Sequence, residues 1–315
     1  MTDAMAKTAG ARSVDVAASR TESVEPRFRL RDYAIVLKPR VMSLVVFTGL
    51  VGMLVAPGSI DPLPALIAVS TIALGAGASG AINMWFDADI DALMERTRKR
   101  PIPAGRMTPP SVLAYGASLA VVSVAVMALG VNMAAAGLLL LTILHYVFVY
   151  TIWLKRRTPR NIVVGGASGA LPPVIGWAAV TGDVGLGAVA LFVIIFLWTP
   201  PHTWALALFR REDYEKANVP MMPVVAGDAA TRRLIGLYVV FLIPATLAPW
   251  ALGLASGFHA AAALGLGGWL ALKVRGLWVR GIEKGARPLF FASIAYLFGI
   301  FLSLGLDRLL ADLFG

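Results

Sequence analysis

Cysteine is missing from all 315 residues. That removes disulfides, thiolate zinc and iron–sulfur sites, a thiolate-ligated haem and a cysteine nucleophile. Histidine is almost missing. His145, His202 and His259 are the only three, with no H-x-x-x-H pair, so a histidine-rich metal site is excluded. Charge is scarce as well: Asp, Glu, Lys and Arg make up 15% of the chain, against roughly 25% in an ordinary soluble domain. With 58% hydrophobic residues, the chain reads neither as disordered nor as a soluble enzyme. The net charge of +10 would point to nucleic acid in a soluble domain. In a membrane protein it is the basic cytoplasmic side, and no nucleic-acid partner is expected. The first thirty or so residues lack the apolar run of a signal peptide, and their acids (Asp3, Asp15, Glu22, Glu25, Asp32) argue against a mitochondrial presequence. Residues 1–32 read as a disordered cytoplasmic tail, and 33–315 as the membrane domain.

What is abundant is apolar sequence, and it comes in blocks. A bilayer core needs about 20 apolar residues per helix. Nine such runs stand out: Val41–Ala56, Leu63–Phe86, Ser111–Gly130, Met133–Leu154, Ile162–Val180, Val184–Phe209, Leu234–Leu254, Phe258–Leu272 and Pro288–Leu306. The first and eighth are short. The expectation is an all-α polytopic membrane protein, a bundle of nine transmembrane helices.

The basic residues orient it. Residues 1–40 hold 8 Lys+Arg, and every second connection after them is basic: 5 in 87–110, 4 in 155–161, 5 in 210–233 and 5 in 273–287. The alternate turns near 57–62, 130–132, 181–183 and 255–257 hold none. By the positive-inside rule the N-terminus is cytoplasmic and the C-terminus lies outside.

Two of the basic connections also gather acids. The first carries Asp87, Asp89, Asp91 and Glu95; the second carries Glu212, Asp213, Glu215 and Asp228. Asn83, Asp87 and Asp91 are spaced i, i+4, i+8. On a continuing helix they share one face, about 6 Å apart along the axis, while Asp89 points nearly the other way. Two stacked carboxylates repel unless a cation sits between them. Mg²⁺ fits, because it takes one or two carboxylates plus phosphate oxygens and water. Bases directly downstream suit the rest of a diphosphate. A solvated helix end that pairs internally would account for an arbitrary D-x-x-x-D, but polar groups ending a transmembrane helix are usually functional.

The second cluster repeats the topological position of the first, with alanine at 217 where a paired acid would stand. Pro200-Pro201 just upstream predicts a broken helix, tolerated at membrane depth only beside a cavity. His202, next to that break, is a candidate ligand or acid–base group, or else a polar filler bonded to freed carbonyls. His145 lies mid-span and His259 on the outer side. Gly75-Ala-Gly-Ala-Ser-Gly80 matches G-x-G-x-x-G literally, but it lies inside a span with no preceding strand. It reads as close helix packing or room for a ligand, as do Gly165 and Gly169.

The stretch from Asn83 to Met107, with Asp-Ala-Asp-Ile-Asp, Arg-Thr-Arg-Lys-Arg-Pro and Pro-Ala-Gly-Arg, resembles the intramembrane aromatic prenyltransferase superfamily. The more specific stretches Lys38-Pro-Arg-Val41, Asn161-Ile-Val-Val-Gly-Gly166 and Pro220-Met-Met-Pro-Val-Val225 resemble its protohaem IX farnesyltransferase branch. The likeness runs from about residue 33 to the last helix. Thr203 departs from it, standing where an aromatic is expected after the histidine.

The resemblance implies a helical bundle around a central cavity in the bacterial inner (cytoplasmic) membrane. It implies transfer of a farnesyl group from farnesyl diphosphate to a vinyl group of haem B, giving haem O, with Mg²⁺ as cofactor. Its partners would be the lipid bilayer and, downstream, haem A synthase or oxidase assembly factors. Asn83, Asp87, Asp91 and Asp213 are the candidate catalytic residues, with Asp87 and Asp91 as metal ligands. Arg96, Arg98, Lys99, Arg100, Arg210 and Lys155 are candidates for the diphosphate. Haem would take an axial imidazole from His202 first and His145 second. Trp85, Phe86, Tyr150, Trp177, Trp198, Trp204 and Tyr214 could wall an apolar pocket that keeps a carbocation from water. The alternatives are another prenyltransferase of the superfamily, such as one for 4-hydroxybenzoate, and a non-enzymatic haem-binding or transport protein.

Overall fold

Proline and short polar turns set where the helices start. The computed structural model describes residues 29–314, and all regular secondary structure among them is helical. The tail expected over 1–32 lies outside the described residues as far as residue 28, and residues 30–32 open α1 (Leu30–Val36). The chain continues as α2 (Pro39–Val55), α3 (Pro62–Phe86), α4 (Ala88–Leu93), α5 (Pro109–Gly130) and α6 (Met133–Leu154). Then come α7 (Asn161–Ala170), α8 (Pro172–Thr181), α9 (Leu186–Phe209), α10 (Arg211–Lys216), α11 (Met222–Val225), α12 (Gly227–Ala245), α13 (Ala248–Ala251) and α14 (Gly257–Phe314). Proline at the first turn of α2, α3, α5 and α8 removes an N–H that would have no helical partner anyway. The Thr108 and Asn132 side chains cap α5 and α6, accepting from Ser111 N–H at 3.4 Å and Ala135 N–H at 2.8 Å.

Seven helical segments among the described residues are long and apolar enough to cross a membrane, and an eighth is made if α1 and α2, bent by 55°, count as one. The molecule is a polytopic membrane protein. Large apolar side chains within the spans, such as Val121, Leu141, Val240 and Leu264, stand exposed, where lipid would cover them. The last long segment spans 55 residues, about 80 Å if straight. It is not straight. Gly281 takes φ 77, ψ −179, and a Cβ on Gly285 would lie 2.6 Å from Leu277 Cα, so the chain doubles back there.

Glycines let α2 and α8 meet backbone to backbone. A Cβ on Gly176 would fall 2.0 Å from the Gly49 carbonyl oxygen, and one on Gly52 would fall 2.2 Å from that of Pro173. This is the small-residue packing that membrane helices use in place of a hydrophobic driving force.

The break expected at Pro200-Pro201 does not occur. α9 runs unbroken through both prolines. Only two carbonyls, four residues back, lose their N–H partners. The surrounding turn is held by Thr199 Oγ1 donating to Ile195 O at 2.8 Å and Trp198 Nε1 donating to Ser293 O at 2.7 Å. A helix buried between neighbours keeps its path where an isolated one would kink.

Candidate active site

The acidic row sits where α3 hands over to α4. Asp87 caps α3 with φ −91, ψ 10, and α4 resumes at once. The hydrogen bonds Asp87 N–H to Asn83 O (3.0 Å) and Asp91 N–H to Asp87 O (2.8 Å) carry the helical spacing across the joint. One face therefore holds all three residues, and it faces inward: Asn83, Asp87 and Asp91 are buried. The Asp89 side chain is 64% exposed.

Cations from three other segments converge on this row. Asn83 Nδ2 donates to Asp87 Oδ2 at 2.7 Å and to Thr151 Oγ1 at 3.2 Å, while Asn83 Oδ1 accepts from Lys38 Nζ at 2.8 Å. Lys155 Nζ pairs with Asp87 Oδ2. Arg100 donates to Asp91 Oδ2 at 2.6 Å, and Thr97 Oγ1 closes the turn onto Asp91 O at 2.9 Å. Arg156 forks onto both oxygens of Asp89 at 2.7 Å and approaches Asp87 Oδ1 at 3.7 Å. The Arg156 hydrogen bonds hold the Asp89 carboxyl below the ordinary carboxylate range.

Of the bases named from the sequence, Arg100 and Lys155 thus touch the row. Arg98 pairs with Glu95 at 3.1 Å on the surface, and Arg96 and Lys99 are exposed. Residue spacing does not single out Lys38 or Arg156. Arg156 reads as one of four lipid-facing bases in 155–161. Lys38 has a local signal: it precedes Pro39, which forbids a helical turn there, and it takes a left-handed φ of 55 between α1 and α2.

The second acidic loop docks on the first. Asp213, buried in α10, accepts from Glu95 N–H at 3.4 Å and lies 3.9 Å from Arg210. Ile90 and Met94 pack with Ile162, Tyr214, Val219 and Met221 beneath them.

A cavity of about 340 Å³ lies between α2, α3, α6, α7 and α9, within the range of small-molecule sites, and Lys38, bonded to Asn83, joins it to the row. Lys38 stands at its polar end. Val41, Val45, Ile195 and Leu297 are among its apolar walls, with Tyr146, Tyr150, Trp198 and His202 as its aromatic ones. Of the aromatics named from sequence, Tyr150 and Trp198 line it; Trp177 and Trp204 are buried in the packing core instead. Gly165 admits the Tyr150 ring, since a Cβ there would lie 2.2 Å from Tyr150 Cδ2, and Gly169 leaves open space.

The histidines separate clearly. His202 lies in the cavity wall, with Nδ1 2.8 Å from Ser293 Oγ. His145 lies outside that lining, at the start of a π-helical stretch, His145–Leu154, that ends α6. His259 is buried and also outside that lining, with Nδ1 on Ser303 Oγ and Nε2 on Thr246 O.

The row suits a hard cation. Asp87 Oδ1 and Asp213 Oδ2 are buried oxygens without a hydrogen bond. Among the described residues no three His, Asp or Glu side chains form a metal cluster. Asp87, through its unbonded Oδ1, and Asp91 could each offer an oxygen to Mg²⁺, with phosphate and water completing the shell.

Known proteins resemble this chain in sequence and in fold. Residues 45–297 match the UbiA prenyltransferase family. A protein named protoheme IX farnesyltransferase 2 from Mesorhizobium japonicum is 57% identical over 274 residues, which are 86% of this chain and 87% of that one. Protoheme IX farnesyltransferase from Brucella anthropi is 53% identical over 283 residues, 89% of this chain and 91% of that one. Among solved structures, a digeranylgeranylglyceryl phosphate synthase superposes with a TM-score of 0.74 at 17% identity, over 89% of this chain and 98% of that one. A UbiA homologue from Archaeoglobus fulgidus, bound to DMAPP and Mg²⁺, gives 0.66 at 14% identity, over 87% of this chain and 99% of that one. These two share the fold.

Proposed function

The chain belongs to the UbiA prenyltransferase family, and on that premise we propose the reaction and the use of its site. It is a prenyltransferase that moves a farnesyl group from farnesyl diphosphate to a vinyl group of haem B, with water added, giving haem O. The allylic C1–O bond breaks and its electron pair leaves with the diphosphate. The vinyl π electrons form the new carbon–carbon bond to C1. Water adds to the cation left beside the macrocycle and gives up a proton.

The observation that carries the site reading is the buried Asn83–Asp87–Asp91 row, tied by Lys38 to an apolar, ring-walled cavity whose wall that lysine joins. Asp87 and Asp91 hold the metal, and Asn83 fixes Asp87 and Lys38. Mg²⁺ bound there would neutralise the departing diphosphate. Arg100, Lys155 and Lys38 add positive charge at the same place, and Arg96, Arg98, Lys99 and Arg210 form the outer basic surface that receives the substrate. Asp213 steadies the first loop through Glu95. The apolar walls exclude water from the cation until it is attacked. His202 ligates the haem iron; His145, outside the cavity lining, is the weaker choice.

Nine crossings result if the 257–311 segment counts as two about Gly281 and α1–α2 as one. With the basic connections inside, the site opens to the cytoplasmic face of the bacterial inner membrane, and the C-terminus is periplasmic. The product would pass to haem A synthase or to oxidase assembly.

Purified protein incubated with haem B, farnesyl diphosphate and Mg²⁺ should yield haem whose mass has risen by one farnesyl group and one hydroxyl group. Unchanged haem, together with prenylation of 4-hydroxybenzoate, would move the chain to another branch of the family.

A further inference from the structure

Three rings stand in a row, two of them, Trp198 and His202, in the cavity wall. The His202 imidazole lies 4.3 Å from the Trp198 ring at an interplanar angle of 15°, and 4.7 Å from the Phe290 ring at 23°. Such a stack fixes the plane of the imidazole. It does not decide which ring nitrogen carries the proton. Ser293, on α14, decides that. Its Oγ lies 2.8 Å from His202 Nδ1 and 2.7 Å from the Phe290 carbonyl oxygen, while its own carbonyl accepts from Trp198 Nε1 at 2.7 Å.

A serine hydroxyl owns one hydrogen. Two oxygens 2.7 Å apart need that hydrogen between them, or their lone pairs face each other. The Ser293 hydrogen is therefore committed to the Phe290 carbonyl. The contact from Nδ1 to Oγ then needs a second hydrogen, and the ring must supply it. A neutral imidazole has one N–H. It sits on Nδ1, and Nε2 keeps a bare lone pair. Among the described residues no hydrogen bond engages Nε2, and His202 lines the cavity. His259 is the contrast: both of its nitrogens are engaged within the protein, at 2.8 and 2.9 Å, so it has no ligand atom to offer.

We propose that Ser293 is a positioning residue that holds His202 in the Nδ1–H form, so that Nε2 is presented to the iron of the porphyrin substrate. The inference rests on the reading of haem B as the acceptor. A hydrogen-bonded Nδ1–H also raises the basicity of Nε2, as partners behind metal-bound histidines commonly do. The macrocycle is then held by its iron while its edge reacts.

The test uses the purified full chain titrated with haem B alone, read by affinity and by the iron–imidazole stretching band in resonance Raman spectra. Ser293→Ala should weaken haem binding by about 10- to 100-fold and lower the frequency of that band, with farnesyl diphosphate affinity unchanged. Ser293→Thr, which keeps the hydroxyl, should restore both. A purely structural serine could alter affinity but not the band. If Ser293→Ala keeps the parent's affinity and band while His202→Ala loses the band, the relay is overturned and haem ligation stands. If His202→Ala keeps the parent's spectrum, ligation itself falls and the relay with it. Should Ser293→Ala fail to fold, Ser293→Cys fills the same space with a poor acceptor. It should show the same lowered band, and an unchanged band would overturn the proposal.

Discussion

Asp87 and Asp89 are two residues apart and hold opposite positions. Asp87 is sealed from solvent among Asn83, Lys155 and Arg156, whereas Asp89 faces out and forks with Arg156. Asp87→Asn or Asp91→Asn keeps the shape but removes a charge from the diphosphate clamp. Each should lower turnover by at least ~10²-fold, the scale of a single preorganised electrostatic contact. An exposed ion pair is worth under about 1 kcal/mol, so Asp89→Asn should cost a few-fold at most. Turnover measured by haem mass gives the ranking, and an Asp89→Asn loss as large as the other two would refute the one-face geometry. A carboxyl held below its ordinary value contributes at neutral pH and loses that contribution only as pH falls through the lowered value. The pH profile of Asp89→Asn should therefore follow the parent's between about pH 5 and 8. Chelating Mg²⁺ should stop transfer while haem still binds. Haem lost together with the metal would mean that the row and the haem site are not separate.

Helices carry a second set of consequences, and here sequence reading meets its limit. The apolar blocks, the turns between them and the buried acidic face are legible, because hydrophobic run length and i, i+4 spacing are local properties. The π-helical stretch of α6 is not. Lys155 N–H bonds to Tyr150 O, five residues back, at 2.9 Å. That wider turn helps bring Thr151 to Asn83 and Lys155 to Asp87. A uniformly apolar run gives no periodicity by which to tell 3.6 residues per turn from a wider winding. The partnerships of Lys38, Arg156 and Ser293 are illegible for another reason: they span 45, 67 and 91 residues. Pro200-Pro201 misleads because proline's local cost is read without the neighbours that brace α9. Packing at the glycines can be tested directly. Gly176→Ala puts a Cβ 2.0 Å from a backbone oxygen of α2 that cannot move aside, and should cost about 1–3 kcal/mol, seen as a lower Tm in detergent. Gly169→Ala meets nothing within 4 Å. It should gain up to about 1 kcal/mol of helix propensity while narrowing the cavity, so a raised KM for haem B with undiminished Tm is the expected split.

At the scale of the whole molecule, the two acidic loops must lie on one side of the membrane, because they touch. Glu95 N–H reaches Asp213 across 118 residues, and Ile90, Met94 and Tyr214 share one apolar cluster. Between these loops the chain must therefore cross the bilayer an even number of times. Four candidate spans lie between them: 109–130, 133–154, 161–181 and 186–209. The bases agree, since both loops and the 155–161 turn are rich in Lys and Arg while the turns near 130–132 and 181–183 have none. Past the second loop, 227–251 would cross outward in the proposed orientation. The parity of the remaining crossings depends on Gly281. If the chain doubles back within the bilayer's reach there, 257–311 crosses twice and ends outside; if it crossed once, the C-terminus would lie inside. A reporter active only in the cytoplasm, fused within 213–228, should be active. The same reporter after Gly315 should be silent, and a periplasmic reporter there should be active. Cytoplasmic activity at both sites would leave an even number of crossings between them, remove the ninth span and detach the C-terminal helix from the topology set by the basic loops.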